Sequence, residues 1–212
     1  HLGLTSDDVV LRLWSARDAR NELPDDELEN SLKWLQRDYS MPVRREALIA
    51  TIERFTDRAH HALTEALLDR SVSVRDFARF LLKKEGEQDF ATFYREAIQS
   101  EHELATAIAG LGETGNAQDV DTLKPFLQSP ESSVRHFAIR SVGALAGDRE
   151  TETFLELVKD GSGKVSFEAC QALKRRCHLI AFDELMSIFR TEVRRRTLRA
   201  IVDLLDDAGS WT

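Results

Sequence analysis

Ten side chains in this 212-residue sequence carry the chemistry of recognition. Arg45, Arg140, Arg195, Arg196 and Arg199 each offer a planar fork of N–H donors that suits a carboxylate or a phosphate. Phe77, Phe80, Phe137 and Phe167 offer apolar anchors, and His136 adds an imidazole. Metal and covalent chemistry finds less to work with. Cys170 and Cys177 are seven residues apart and share a helix face; with His178 they lack the close Cys-x-x-Cys pair or second ligand cluster of a metal site. They are read as core packing, and two cysteines are too few for a disulfide framework. No cofactor, no metal and no catalytic residue is expected.

The elements that must position these side chains are helices. The chain is 42% hydrophobic and 31% charged with only 10 Gly and 4 Pro, which is rich in helix formers and poor in the punctuation that a many-turned β fold needs. No stretch approaches ~18 uninterrupted apolar residues, so no membrane span is expected. The N-terminus lacks a basic region followed by an apolar run, so it does not read as a signal peptide, and a cytoplasmic setting is expected. The formal charge of −8 argues weakly against a general nucleic-acid binder and leaves local patches open.

The helices repeat. Aligned on a Val-Arg phrase, "PVRREALIATIERF" (42–55), "SVRDFARFLLKKEG" (73–86) and "SVRHFAIRSVGALAG" (133–147) are followed by "KVSFEACQALKRRC" (164–177) and "EVRRRTLRAIVDLL" (192–205). The key valines are Val43, Val74, Val134, Val165 and Val193, with gaps of 31, 60, 31 and 28 residues. The double gap holds a weaker copy at 100–115, placed with Ser100 in the valine slot. Between these B helices lie amphipathic A segments, starting near residues 25, 58, 89, 117, 152 and 181, with apolar positions at helical spacing such as Leu28, Leu32 and Leu35. Ser129-Pro130 and Met41-Pro42 read as helix starts. One A–B pair cannot bury its apolar stripe alone, whereas stacked pairs share a continuous core.

These residues resemble a HEAT-repeat protein, close to the HEAT-like repeats of phycobilisome lyases, over roughly residues 25–207. Residues 134–145 (VRHFAIRSVGAL) match the family's B helix. The resemblance implies an all-α fold, a right-handed α-solenoid of about six helix pairs. Residues 1–24 are then a capping helix or the end of a preceding repeat, and 208–212 a tail at the start of a truncated further one. No polar capping repeat closes the sequence, so a fragment of a longer protein is expected. The resemblance also implies a ladder of Asp and Arg six residues apart: Asp38 and Asp69 precede Arg44 and Arg75 by that interval. Ser129 before Arg135 and Ile188 before Arg194 are expected to break it. A di-iron HEAT-repeat enzyme, deoxyhypusine hydroxylase, uses His-Glu pairs at two exposed B-helix slots. Here only His102-Glu103 fits, and one pair in six cannot build that site.

In HEAT stacks the B helices line the concave surface, and the second, third, sixth and tenth positions after the key valine are free of the core. Those slots carry Arg45, His136, Arg140, Arg195, Arg196 and Arg199, together with Phe77, Phe80, Phe137 and Phe167. Over residues 42–54, 73–84, 101–111, 131–145, 164–176 and 192–205 the B helices hold 17 of the 29 Lys/Arg and 9 of the 37 Asp/Glu, so acid is concentrated in the rest of the chain and base on the B helices. A groove of this kind attracts acidic partners even on an anionic molecule. The expected function is therefore a non-catalytic scaffold that binds a partner protein, with an acidic segment, along this face. The alternatives are nucleic-acid binding in the same groove, or a HEAT-like enzyme such as a bilin lyase or a DNA glycosylase.

Overall fold

The computed structural model describes residues 3–192 and 194–209, so Val193 and the end of the expected tail, residues 210–212, lie outside the described residues. All regular elements among the described residues are helical, and they fall into two compact units divided between Phe90 and Ala91.

In the first unit, α1 (Val9–Glu22), α3 (Met41–Arg54) and α5 (Val72–Glu85) are B helices, and α2 (Asp25–Leu35) and α4 (Ala59–Ala66) are A helices. The B helices pack in succession, α1 on α3 and α3 on α5, while α2 and α4 pack against α3 and α4 against α5. Leu28, Leu32 and Leu35 of α2 meet Val43, Ala47 and Ala50 of α3 in a core completed by Ala16 and Ala19 of α1. The helical spacing of these residues is the reason α2 shows one apolar face. Pro42 sits in the first turn of α3, where its missing N–H costs nothing.

The second unit repeats the plan. α7 (Leu104–Thr114), α9 (Ser132–Leu145), α11 (Gly163–Leu173) and α13 (Arg195–Gly209) pack in succession as B helices. α6 (Phe90–Gln99), α8 (Val120–Leu123), α10 (Thr151–Leu157) and α12 (Phe182–Thr191) fill the A positions. The A segment over 117–128 is broken into 3-10 turns around α8, because Pro125 cannot donate the next helical hydrogen bond. α9 starts at Ser132, so Pro130 precedes the first turn instead of opening it.

Two glycines set how closely α7 is approached. A Cβ on Gly110 would lie 2.1 Å from the Tyr94 ring of α6, and one on Gly112 would lie 2.7 Å from Cα of Ser141 in α9. Gly112 faces Ser141 as Gly143 faces Ala172, and this equivalence corrects the sequence register of the third copy. Glu103, not Ser100, takes the valine slot. The first turn of this B helix is replaced by a loop in which Glu101 and Glu103 adopt left-handed φ values of 54° and 45°. His102 and Glu103 are exposed at its start, away from the slots that the hydroxylase comparison requires.

The Asp–Arg ladder is present within each unit, where an arginine of one repeat reaches the aspartate of the next. Arg44 donates to both carboxylate oxygens of Asp69 at 2.7 Å, and Arg135 to those of Asp160 at 2.8 and 2.9 Å. Each Arg also donates from Nη1 to the carbonyls six and five residues before it. Each Asp accepts the N–H two residues on, from Ser71 and Ser162, at 2.7 Å. Ser129 therefore does not break the ladder: Arg135 asks of residue 129 only its carbonyl and takes its carboxylate from the following repeat. Arg12 of α1 joins through Asp38 at 2.7 and 3.2 Å, so α1 stands in a B position. Arg194 does depart from the pattern, forking instead onto the nearby Glu192 at 2.9 and 2.7 Å.

Candidate functional site

In the first unit the expected partner-facing residues are largely occupied with one another. The Arg45 guanidinium lies over the ring of half-buried Phe77, 4.8 Å from its centre. The Lys84 ammonium lies 4.3 Å over Phe80, which stays 55% exposed. Glu46, in the third slot of α3, is buried against Arg17 and Arg20 of α1 at 3.1 and 3.3 Å. The sequence template leaves that slot open; the neighbouring B helix closes it with two cations.

The second unit assembles a fuller site. His136, Phe137 and Arg140 project from α9, Lys164, Phe167 and Glu168 from the start of α11, and Arg195, Arg196 and Arg199 from α13. Spacings of three and four residues bring each helix's group onto one face. The helices then mesh. His136 Nδ1 lies 3.7 Å from Glu168 Oε2, and the Arg196 guanidinium lies 4.1 Å over the Phe167 ring. Phe137 packs edge-on against His136 at 5.1 Å between ring centres. Arg140, Arg195 and Arg199 are exposed, and among the described residues none of the three is in an ion pair. The structure thus sets His136 against Glu168 and Phe137 and sets Arg196 over Phe167, while Arg140, Arg195 and Arg199 stand exposed on the same packed helices. Arg45, Phe77 and Phe80 belong to the other unit.

Burial, reinforced by the positive charge of Lys164 and Arg140, pushes the His136 imidazole down to about 4. Its ring is therefore neutral at pH 7. In the unfolded chain a histidine takes up its proton near pH 6.5, so this residue withdraws stability as pH falls from there toward 4. The His136 ring carbons are expected to show no titration above about pH 5 in proton–carbon NMR spectra; a midpoint near 6.5 would show that the ring is solvated.

A family model for HEAT repeats matches residues 96–174. Residues 96–174 carry HEAT repeats. Three solved structures are similar in arrangement. An engineered protein shares 16% identity over 99% of this chain and 94% of its own, with a TM-score of 0.37. The complex of CpcE and CpcF of phycocyanin lyase from Nostoc sp. PCC7120 shares 18% identity over 98% and 92%, also with a TM-score of 0.37. A designed armadillo repeat protein shares 14% identity over 98% and 97%, with a TM-score of 0.33. No curated protein matches the sequence.

Within the HEAT repeats the cysteines are packing groups. Cys170 and Cys177 are both buried and unbridged, and burial pushes the Cys170 thiol up to about 12, far from a reactive thiolate. Arg176 is a buried cation. It is 1% exposed, lies 5.1 Å over the Phe154 ring and donates to the carbonyls of Ala172 and Gly143. Glu168 and Lys164 are the site residues that the exposed-slot argument passes over. The available signal is an acid in the third slot opposite a ring in the second slot of the preceding HEAT repeat, which only pairing between repeats gives meaning.

No described helix is long and apolar enough to cross a membrane.

Proposed function

We propose that this chain is a non-catalytic protein-interaction scaffold, and that the face shared by α9, α11 and α13 binds an acidic segment of a partner protein. The observation that carries this reading is the row of exposed guanidinium groups on Arg140, Arg195 and Arg199, without ion pairs among the described residues, beside the half-buried rings of Phe137 and Phe167. Arginines of this kind fork onto carboxylates, and adjoining aromatic surface supplies the apolar part of an interface. Aromatic rings that stack on nucleic-acid bases must present an open face. Here Arg196 covers Phe167, which favours the acidic peptide over the oligonucleotide.

The test uses a fluorescein-labelled, Asp-rich 12-residue peptide followed by anisotropy at about 50 mM salt, with a labelled single-stranded oligonucleotide of equal length as comparison. Replacing Arg195, Arg196 and Arg199 together with Glu should weaken peptide binding by about 100-fold while leaving the helical circular dichroism intact. Unchanged peptide binding would remove α13 from the site. Tighter binding of the oligonucleotide than of the peptide would turn the assignment to nucleic acid.

A further inference from the structure

Glu168 is unlike the acids of the ladder. Its carboxylate is 19% exposed, yet no described residue gives it a hydrogen bond. It approaches the buried His136 Nδ1, itself without a hydrogen-bond partner, and 3.7 Å is too long for one. Three cations act on it: Arg140 from α9, Lys164 from its own helix and Arg196 from α13. A half-buried carboxylate without a hydrogen bond costs free energy that the three cations only partly offset, so it is not there to stabilise the stack.

We propose that Glu168 is the specificity-determining residue of the α9–α11–α13 face, an internal carboxylate that competes with an acidic partner for Arg140, Lys164 and Arg196. The proposal rests on the binding face argued above. A partner carboxylate that forks onto Arg140 or Arg196 brings a second negative charge next to the first. Repulsion between the two is relieved when Glu168 takes up a proton, so binding is coupled to protonation. Burial already holds the Glu168 carboxyl above its ordinary range, against the opposing pull of the three cations. The neighbouring His136 stays neutral through this range, so the proton has one destination.

The experiment measures the same Asp-rich peptide against wild type and Glu168→Gln at pH 5.5 and 7.5. Asp side chains of the peptide remain ionised at both values. At pH 7.5 the variant should bind about three- to tenfold tighter, the effect of one charge removed at several ångströms under partial screening. Wild-type affinity should rise toward that of the variant at pH 5.5, and the variant should lose this dependence. Equal or weaker binding by Glu168→Gln, where wild type binds and the triple Arg variant does not, would overturn the role of Glu168 and leave the binding face standing. Absence of binding by both wild type and Glu168→Gln would overturn both. Carbon-13 titration of the Glu168 carboxyl in wild type, with and without peptide, gives a second readout that needs no variant. Its midpoint should move upward on binding, and a midpoint that stays in place would overturn the coupling.

Discussion

Gly112→Ala should destabilise the second unit by about 3 kcal/mol, although alanine is the better helix former by roughly 1 kcal/mol. The added methyl would meet Ser141 at Oγ, Cβ and Cα, the last at 2.7 Å, so no side-chain rotation relieves it. α7 and α9 must separate, and separation also stretches the buried hydrogen bond from Ser141 Oγ to the Ile108 carbonyl, now 2.9 Å. Gly143→Ala is the matched control one repeat later. There the new Cβ would lie 3.1 Å from Cβ of Ala172 and 3.7 Å from its Cα, a contact that a shift of a few tenths of an ångström accommodates. Thermal unfolding followed by circular dichroism should show a midpoint drop of about 6–12 °C for Gly112→Ala and a much smaller one for Gly143→Ala. Similar midpoints for the two variants would mean that α7 and α9 are not this close.

Asp69→Ala should cost the first unit about 3–5 kcal/mol, the expected penalty for removing one partner of a buried ion pair. Its partner Arg44 is 5% exposed and would keep its charge with no carboxylate to receive it. The same change removes the acceptor of the Ser71 N–H at the start of α5. Asp69→Asn, which can still accept from Ser71, should cost less. Denaturant unfolding measures both, and a loss below about 1 kcal/mol for the alanine variant would reduce the ladder to a surface feature.

Acid should act on the same device. In Asp38 and Asp160, burial raises the carboxyl but is outweighed by the Arg and N–H hydrogen bonds, and both end below the ordinary range. Stability from these groups is complete above the unfolded carboxylate value and is lost as pH falls through the depressed folded values. The acid limb of a pH–stability profile should accordingly lie below about pH 4 for the ladder, separate from the His136 contribution that begins near 6.5.

The repeat was legible in the sequence because its determinants are local. Val43, Val74, Val134 and Val165 recur with helical spacing around them, and all four are buried at the third position of their helices. The third copy was misplaced by three residues, close to one helical turn, because such a slip preserves the apolar face; only the contact of Gly112 with Ser141 reveals it. The site was legible as a set of side chains and illegible as an arrangement. Arg45 and Arg196 were read as facing a partner, and each also covers a phenylalanine of the adjacent helix. Glu46 occupies a slot that the repeat pattern leaves open and is nonetheless buried, and Arg176 is buried over Phe154.

The sequence by itself determined the helices, their pairing into repeats and the concentration of positive charge on the B helices, since each depends on residues within one or two turns of one another. Tertiary structure decided which charges are satisfied. Residues about 25 to 32 positions apart meet only when successive repeats stack, and it is this stacking that ties Arg135 to Asp160, sets Glu168 against His136 and leaves Arg140, Arg195 and Arg199 exposed.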